Sequence, residues 1–402
     1  TSPSTGSSFG NAVALSGSLL AVGAPSDNTG ANDTGHAYVF DLAGPTPTIP
    51  AFDLPNPSPF PDAHLGTSVS IDGSLVAVGV PGETVGGFTN AGRVQIFDLD
   101  SPTPATPVHT IDNPGPANNE YFGFSVSLSG NLLAIGTPGD TYFARAACGL
   151  CHVYELSGPS PTLRGSIVQQ QFNTDDGFGN AVSLSGTLLA VGSPFDDPGG
   201  SNVGSVWVYD VSGPIPPLSL SGTPFLGRDL NPNSAAFTSF GAAVALSGTQ
   251  LVVSAPYTSS ALGIHGVTYY YDLSPPIPSN LDPDLTFPNP TPSTDDNFGI
   301  SLAIDGSRLV IGADGEDGGA TSSGVAHVFN LTSETPTVPV AILKHPNPAG
   351  FIDFGTAVAV SGDTTAVGSP SDSSYRSLDG SVHVFDPGPP VLTVEFPPGT
   401  TL

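Results

Sequence analysis

Short apolar runs recur along this chain in a fixed order, each tied to the same glycines and prolines. In the first copy NAVALS (11–16) alternates apolar with small or polar positions, the period of a strand with one buried face. LLAVGAP (19–25) is apolar almost throughout, as a central strand covered on both faces requires. The SGS between them reverses the chain, its glycine supplying the positive φ of a tight turn. A Gly/Asp/Ser loop leads to HAYVFDL (36–42), where aromatic and aliphatic residues form a third strand. The proline-rich link GPTPTIP (44–50) then reaches a weaker fourth segment, PAFDLPNP (50–57). Proline cannot donate to a ladder, so this segment is predicted to be an outer edge. Nowhere does a helical period appear.

The whole unit repeats. Phe-Gly opens copies at Phe9, Phe122, Phe178, Phe240, Phe298 and Phe354, and Leu65-Gly66 fills the remaining place, at intervals of 56 to 62 residues. One such unit cannot bury its own faces, so seven stacked copies make one domain. The fold is therefore predicted to be all-β, a seven-bladed β-propeller of four-stranded antiparallel blades. It spans residues 9–397, between an amino-terminal leader segment (1–8) and a tail (398–402). With so little chain before Phe9, closure is expected to rest on face packing alone, unless the carboxy-terminal PVLTVEFPP (390–398) pairs elsewhere. That segment either supplies the last fourth strand or adds to a neighbouring chain.

Charge narrows the partners. The chain holds 35 acidic and 7 basic residues, a net charge of −28. Nucleic acid and anionic membrane surfaces are disfavoured, since both are bound through Lys and Arg, and no apolar run is long enough to span a bilayer. A cation, an extracellular protein or a glycan fits better. The chain begins TSPSTGSS and contains no Met, which suggests that a signal peptide has been removed and that the protein works outside the cell or at its surface.

The Phe-Gly start, the GAP-like tripeptide ending the second strand and the Gly-x-x-Tyr-Val-Phe after it resemble the FG-GAP repeat of the integrin α-subunit propeller and its bacterial relatives. The tripeptide stands as GAP (23–25), GVP (79–81), GTP (136–138), GSP (192–194), SAP (254–256), GAD (312–314) and GSP (368–370). The resemblance implies an extracellular adhesion or ligand-binding propeller. One feature departs from it: the integrin-type repeat has an Asp-rich calcium loop between its first two strands, and here that connection is only LSGSL, IDGSL or LSGNL. This is similar to the short-turn bacterial version, and calcium is not expected at that place.

Antiparallel order puts the FG start, the GAP end and the link into the next blade at one end, the top. Two residues past the GAP proline come Asp27, Glu83, Asp140, Asp196 with Asp197, and Asp372; copy six has Glu316 and Asp317, and copy five has Thr258. Acids also precede FG, doubled at Asp175/Asp176 and Asp295/Asp296. These carboxylates either cap their own turns or form an acidic ligand face, the doubled pairs being the candidate Ca²⁺ sites. No aromatic cluster is evident among the top loops.

Cys148-Gly149-Leu150-Cys151-His152 has the spacing of c-type haem attachment, but His152 falls where other copies place Tyr38, Gln95, Trp207, His327 and His383, so a histidine there needs no haem. A local Cys148–Cys151 disulfide is the expectation, with free thiols the alternative. Asn32 and Asn330 lie in N-glycosylation sequons. No Ser/His/Asp arrangement or GxSxG motif can be assembled. The sequence points first to a non-enzymatic secreted or cell-surface binding propeller. A filament or surface-layer subunit joined through its carboxy-terminal strand is the second reading, and a carbohydrate-active enzyme the third.

Overall fold

The computed structural model describes the backbone of residues 6–170, 173–215, 225–232, 237–260, 263–277, 281–373, 379–386 and 392–395. Seven four-stranded sheets are formed, each a simple meander of consecutive antiparallel strands. Blade one consists of Ala12–Ser16, Leu19–Ala24, His36–Asp41 and Phe52–Pro55. Blade three consists of Ser125–Ser129, Leu132–Thr137, Leu150–Glu155 and Thr162–Ile167. Blade five inserts a small hairpin, Ser259–Ser260 with Gly263–Ile264, between its second and third strands. Residues from the start of all seven first strands line one central channel of about 250 Å³, so the first strand is innermost and the proline-flanked fourth outermost.

Burial is organised by seam. Among the described residues seven apolar clusters form, each from the facing surfaces of two neighbouring blades. The FG aromatic stands in each seam: Phe9, Phe122, Phe178, Phe240, Phe298 and Phe354 are fully buried, as is Leu65. Most meet a third-strand ring edge-on, Phe178 against Tyr209 at 6.4 Å and 87°, for example, the arrangement ring quadrupoles favour.

The glycines of the motif have a steric task. A Cβ added to Gly23, Gly79, Gly136, Gly192, Gly312 or Gly368 would lie 1.9–2.0 Å from the carbonyl oxygen of the next blade's FG glycine. In these six seams adjacent second and first strands thus meet backbone to backbone, too close for any Cβ. In blade five Ser254 takes the place and caps Ala243 N through Oγ at 3.1 Å. At the bottom, the Ser or Asp of each SG/DG turn accepts the amide of the next blade's turn glycine, as Gly73 N to Ser16 Oγ (3.1 Å) and Gly130 N to Asp72 Oδ2 (2.6 Å).

Closure uses the same contacts. Phe9 N donates to Asp379 O at 3.0 Å, as Phe178 N does to Cys148 O at an internal seam. Gly17 N donates to Ser361 Oγ at 3.1 Å. Leu392–Glu395 pairs with Ser381–Phe385 of its own sheet, so the carboxy-terminal segment completes blade seven in cis. Most of the leader segment, residues 1–5, and the tail 398–402 lie outside the described residues.

Candidate functional site

The acids predicted to form a ligand face turn inward. Asp27, Glu83, Asp140, Asp196, Glu316 and Asp372 are only 0–8 % exposed, because each lies at the top of a seam and is held by its own blade or a neighbour. Asp27 accepts the amide of Thr29 (2.7 Å) and the Tyr38 hydroxyl (3.5 Å). Glu83 accepts Arg93 Nη1 at 3.4 Å, and Asp196 accepts Ser205 Oγ at 2.6 Å. Glu316 takes Thr291 Oγ1 (2.6 Å) and lies 2.9 Å from His327 Nε2. The exposed neighbours Asp197 and Asp317 accept the amides of Asn202 and Ser322, five residues on, at 2.6 and 2.8 Å. The hydrogen bonds these acids make are those of loop caps, and Asp197 and Asp317 also remain exposed on the top face.

The doubled acids are split rather than paired. Asp175 and Asp295 are exposed with φ of 65°, while Asp176 and Asp296 are buried. Asp176 Oδ2 accepts the Gln169 side-chain amide and Asn173 N. Asp296 repeats this with Asn289 and Ser293, and Glu120 with Asn113 and Ala117. The unit is an Asn or Gln seven residues before the acid. Burial, reinforced by other carboxylates, pushes Asp140 and Asp176 up to about 7. Among the described residues the doubled pairs gather no third metal ligand.

Cys148 and Cys151 are both buried free thiols, which corrects the expected disulfide. Cys151 points from its strand into the seam with blade four, beside Val191 and Trp207. The Cys148 sulfur instead lies 3.7 Å from the Asp140 carbonyl. Burial raises the two thiols to about 11 and about 12. His152, next on the strand, faces the opposite seam, where its ring lies 5.4 Å from Phe122. Strand alternation therefore separates the elements of the haem-like motif, and these residues do not fit a covalently attached haem. Asn32 is exposed on a top loop, and Asn330 ends the third strand of blade six, where its Oδ1 caps Thr332.

Sequence spacing did not bring out His345, Asp372 and His383, the one group among the described residues whose ligand atoms lie within 4.8 Å of one another. His345 Nδ1 accepts the Asn347 amide at 3.1 Å, which assigns the proton to Nε2, 3.1 Å from Asp372 Oδ2. Ser381 Oγ donates to the same carboxylate oxygen (2.7 Å) and lies 3.0 Å from His383 Nε2. A metal-bound imidazole donates through its other nitrogen; here that nitrogen accepts, so the residues fit a hydrogen-bonded chain better than a metal. Burial and the nearby His345 lower His383 to about 3.

What the top face exposes is aromatic. Among the described residues, Phe60, Phe88, Tyr121, Phe124, Phe143, Phe195, Phe237, Tyr257 and Phe351 are the exposed large aromatics, and every one lies in a top connection. The exposed aliphatics Ile49, Val108, Leu163, Val338, Val340 and Ile342 belong instead to the bottom links and outer strands. Phe143, Phe237 and Phe351 are the most open, at 71, 63 and 67 %. The absence of an evident aromatic cluster in the sequence is corrected here: the rings are scattered along the chain and gathered only by the circular fold. Phe124 stands at the channel lining, and with Tyr121, Asp62, His64 and Asn90 it borders a cleft of about 460 Å³.

A second cavity, about 360 Å³, opens beside the outer part of blade three and is lined by Asn113, Asp140, Tyr142, Leu150, His152, Leu163 and Ser166 among others.

The FG-GAP repeat family matches four segments, residues 3–40, 164–209, 292–329 and 341–385. No curated protein matches the chain. Among the described residues no helix is long and apolar enough to cross a membrane. The four matched segments fall in a ring of seven four-stranded blades, and the chain is a seven-bladed β-propeller that matches an FG-GAP repeat propeller.

Proposed function

We propose that this propeller is a non-enzymatic binding or adhesion module that works outside the cell and engages a glycan or glycoprotein surface with its top face. The observation that carries this reading is that all nine exposed large aromatics among the described residues lie on that face. Exposed rings cost solubility and add little to the core, so their concentration on one side marks an interaction surface. Phe237 and Phe351 sharpen the point. Their φ values are 61° and 60°, at the position where other copies have Asp62, Asn119, Asp175 and Asp295. Asn and Asp tolerate the left-handed region and a bulky aromatic does not, so the phenylalanines are retained at the expense of local stability. The net charge of −28 directs the partner toward neutral or basic chemistry.

The test is a triple variant, Phe143→Ser, Phe237→Asn and Phe351→Asn, measured for adhesion to immobilised neutral polysaccharides and glycoproteins. A loss of at least about tenfold, the effect of removing ~1.4 kcal/mol of contact, is expected with the melting temperature unchanged or raised. Undiminished adhesion would sink the reading. The filament alternative is weakened because Leu392–Glu395 pairs within its own blade and would have to leave it for strand exchange.

A further inference from the structure

Five of the six ring acids have a side-chain donor aimed at them: a phenol at Asp27, a guanidinium at Glu83, a hydroxyl at Asp196, an imidazole at Glu316 and another at Asp372. Asp140 has none among the described residues, only the backbone amide of Thr141. Part of the reason lies in the sequence of blade three. Arg93, which serves Glu83, is the first residue of its third strand and pairs with Val80. The register-equivalent residue in blade three, paired with Thr137, is Leu150. Arg145, in the same top loop, is exposed, and its amide donates to Tyr142 O at 3.0 Å. Where the missing donor would reach, there is the 360 Å³ cavity.

The cavity has a second unmet group. His152 is only 3 % exposed and lines the cavity; its Nδ1 lies 2.7 Å from Ser166 Oγ, while Nε2 has no partner. A buried imidazole nitrogen left unpaired is destabilising. Its counterparts Trp207 and Tyr38 have their polar atoms bonded, and His327 directs its Nε2 to Glu316 while its Nδ1 is unpaired. Apolar walls come from Leu150 and Leu163, and Tyr142 packs edge-on against the 71 %-exposed Phe143 at 4.5 Å.

We infer that the blade-three cavity is a binding site for one neutral sugar residue, whose hydroxyls would bond Asp140 and His152 while its C–H face lies on Tyr142. The volume is at the low end for small-molecule sites, about 300–1,000 Å³, which suits a single ring. An anionic ligand is opposed by Asp140 and by nearby Glu120, whose charge adds to burial in pushing the Asp140 carboxyl up to about 7. The same shift weakens the pull on a cation and favours a hydroxyl-bearing neutral ligand. Burial also lowers His152 to about 4, so its ring is neutral near pH 7. This inference rests on the binding-module reading and names a chemistry for one part of it.

The test is calorimetric titration of the intact chain at pH 7 with glucose, galactose, mannose, fucose and N-acetylglucosamine, and with N-acetylarginine amide as the basic-peptide probe. One sugar is expected to bind saturably and to shift the His152 Nε2 nitrogen resonance. Asp140→Asn should weaken it at least about tenfold, and Leu150→Arg, which supplies blade two's cation in cis, should abolish it. Both variants are checked by thermal melting; if Leu150→Arg fails to fold, Asp140→Asn decides. Binding unchanged in the folded variants, no binding by any sugar, or tighter binding of the arginine amide would each overturn the inference. Loss of adhesion in the aromatic triple variant together with a failed sugar titration would overturn the cavity alone and leave the aromatic face standing.

Discussion

Phe237 and Phe351 occupy a left-handed position that Asn or Asp fills in four other copies, and they show how a residue can be chosen against stability. Replacing each with Asn should stabilise the fold by about 0.5–1 kcal/mol, since the left-handed penalty for an ordinary side chain is roughly 1–2 kcal/mol and Asn escapes part of it; chemical denaturation checks this. Asp176 makes the opposite point about charge. Burial, first, raises its pKa to about 7 from the usual carboxylate range. A raised carboxyl binds its proton more tightly when folded, so its contribution is fully present below pH ~4 and is lost as pH rises through about 7. Buried His152 and His383, lowered to about 4 and about 3, act in the other direction below pH ~6.5, so the wild-type profile alone mixes the two effects. The difference between wild type and Asp176→Asn isolates the carboxyl: the variant should gain on wild type steadily from pH 4 to pH 8 in melting temperature. A constant difference across that range would contradict the assignment. The acids themselves were legible in the sequence as a repeat feature. Their burial was not, because a carboxylate in a loop reads the same whether it faces water or an adjacent blade.

At the scale of the element, strand order and turn chemistry followed directly from the repeat. Period-2 patterning, the SG or DG turns and the proline-rich links place four antiparallel strands per blade, and all seven sheets are built so. What the motif's two glycines do was hidden, since their contact joins different blades. Gly136 and Gly17 separate the two uses of glycine. A methyl at Gly136 would meet Gly179 O at 1.9 Å, while one at Gly17 meets nothing within 4 Å. Gly136→Ala is therefore expected to cost about 3 kcal/mol, the upper part of the usual range for overpacking. Gly17→Ala, with φ of 57°, should cost only about 1 kcal/mol of backbone strain. Equal costs in thermal melts would mean that the backbone contact between blades is not what the GAP glycine protects. The disulfide expectation failed at this scale too: two cysteines three apart look close, but strand direction sends Cys151 into one seam while Cys148 turns to a carbonyl.

For the whole molecule, closure is the step that no local pattern could decide. The seam between blades seven and one is made by the same FG contact as the internal seams, with Phe9 packed among Leu20, Val22, Tyr38, Phe40 and Val382. Phe9→Ala and Phe178→Ala should then destabilise alike, by about 3–5 kcal/mol each for a buried aromatic. A much smaller effect at Phe9 would show the closing seam to be the weak one. The sequence by itself determined the number of blades, the strands in each, the end at which the long loops gather and the sign of the molecule's charge. These depend on neighbours in the chain or on composition, and seven copies repeat the signal. The tertiary structure alone decided which side chains face water at that end, because exposure depends on the adjoining blade. It buried the conspicuous carboxylates, gathered nine scattered aromatics onto one face, and left Asp140 without the donor its equivalents have, since Leu150 stands where a neighbouring blade has Arg93.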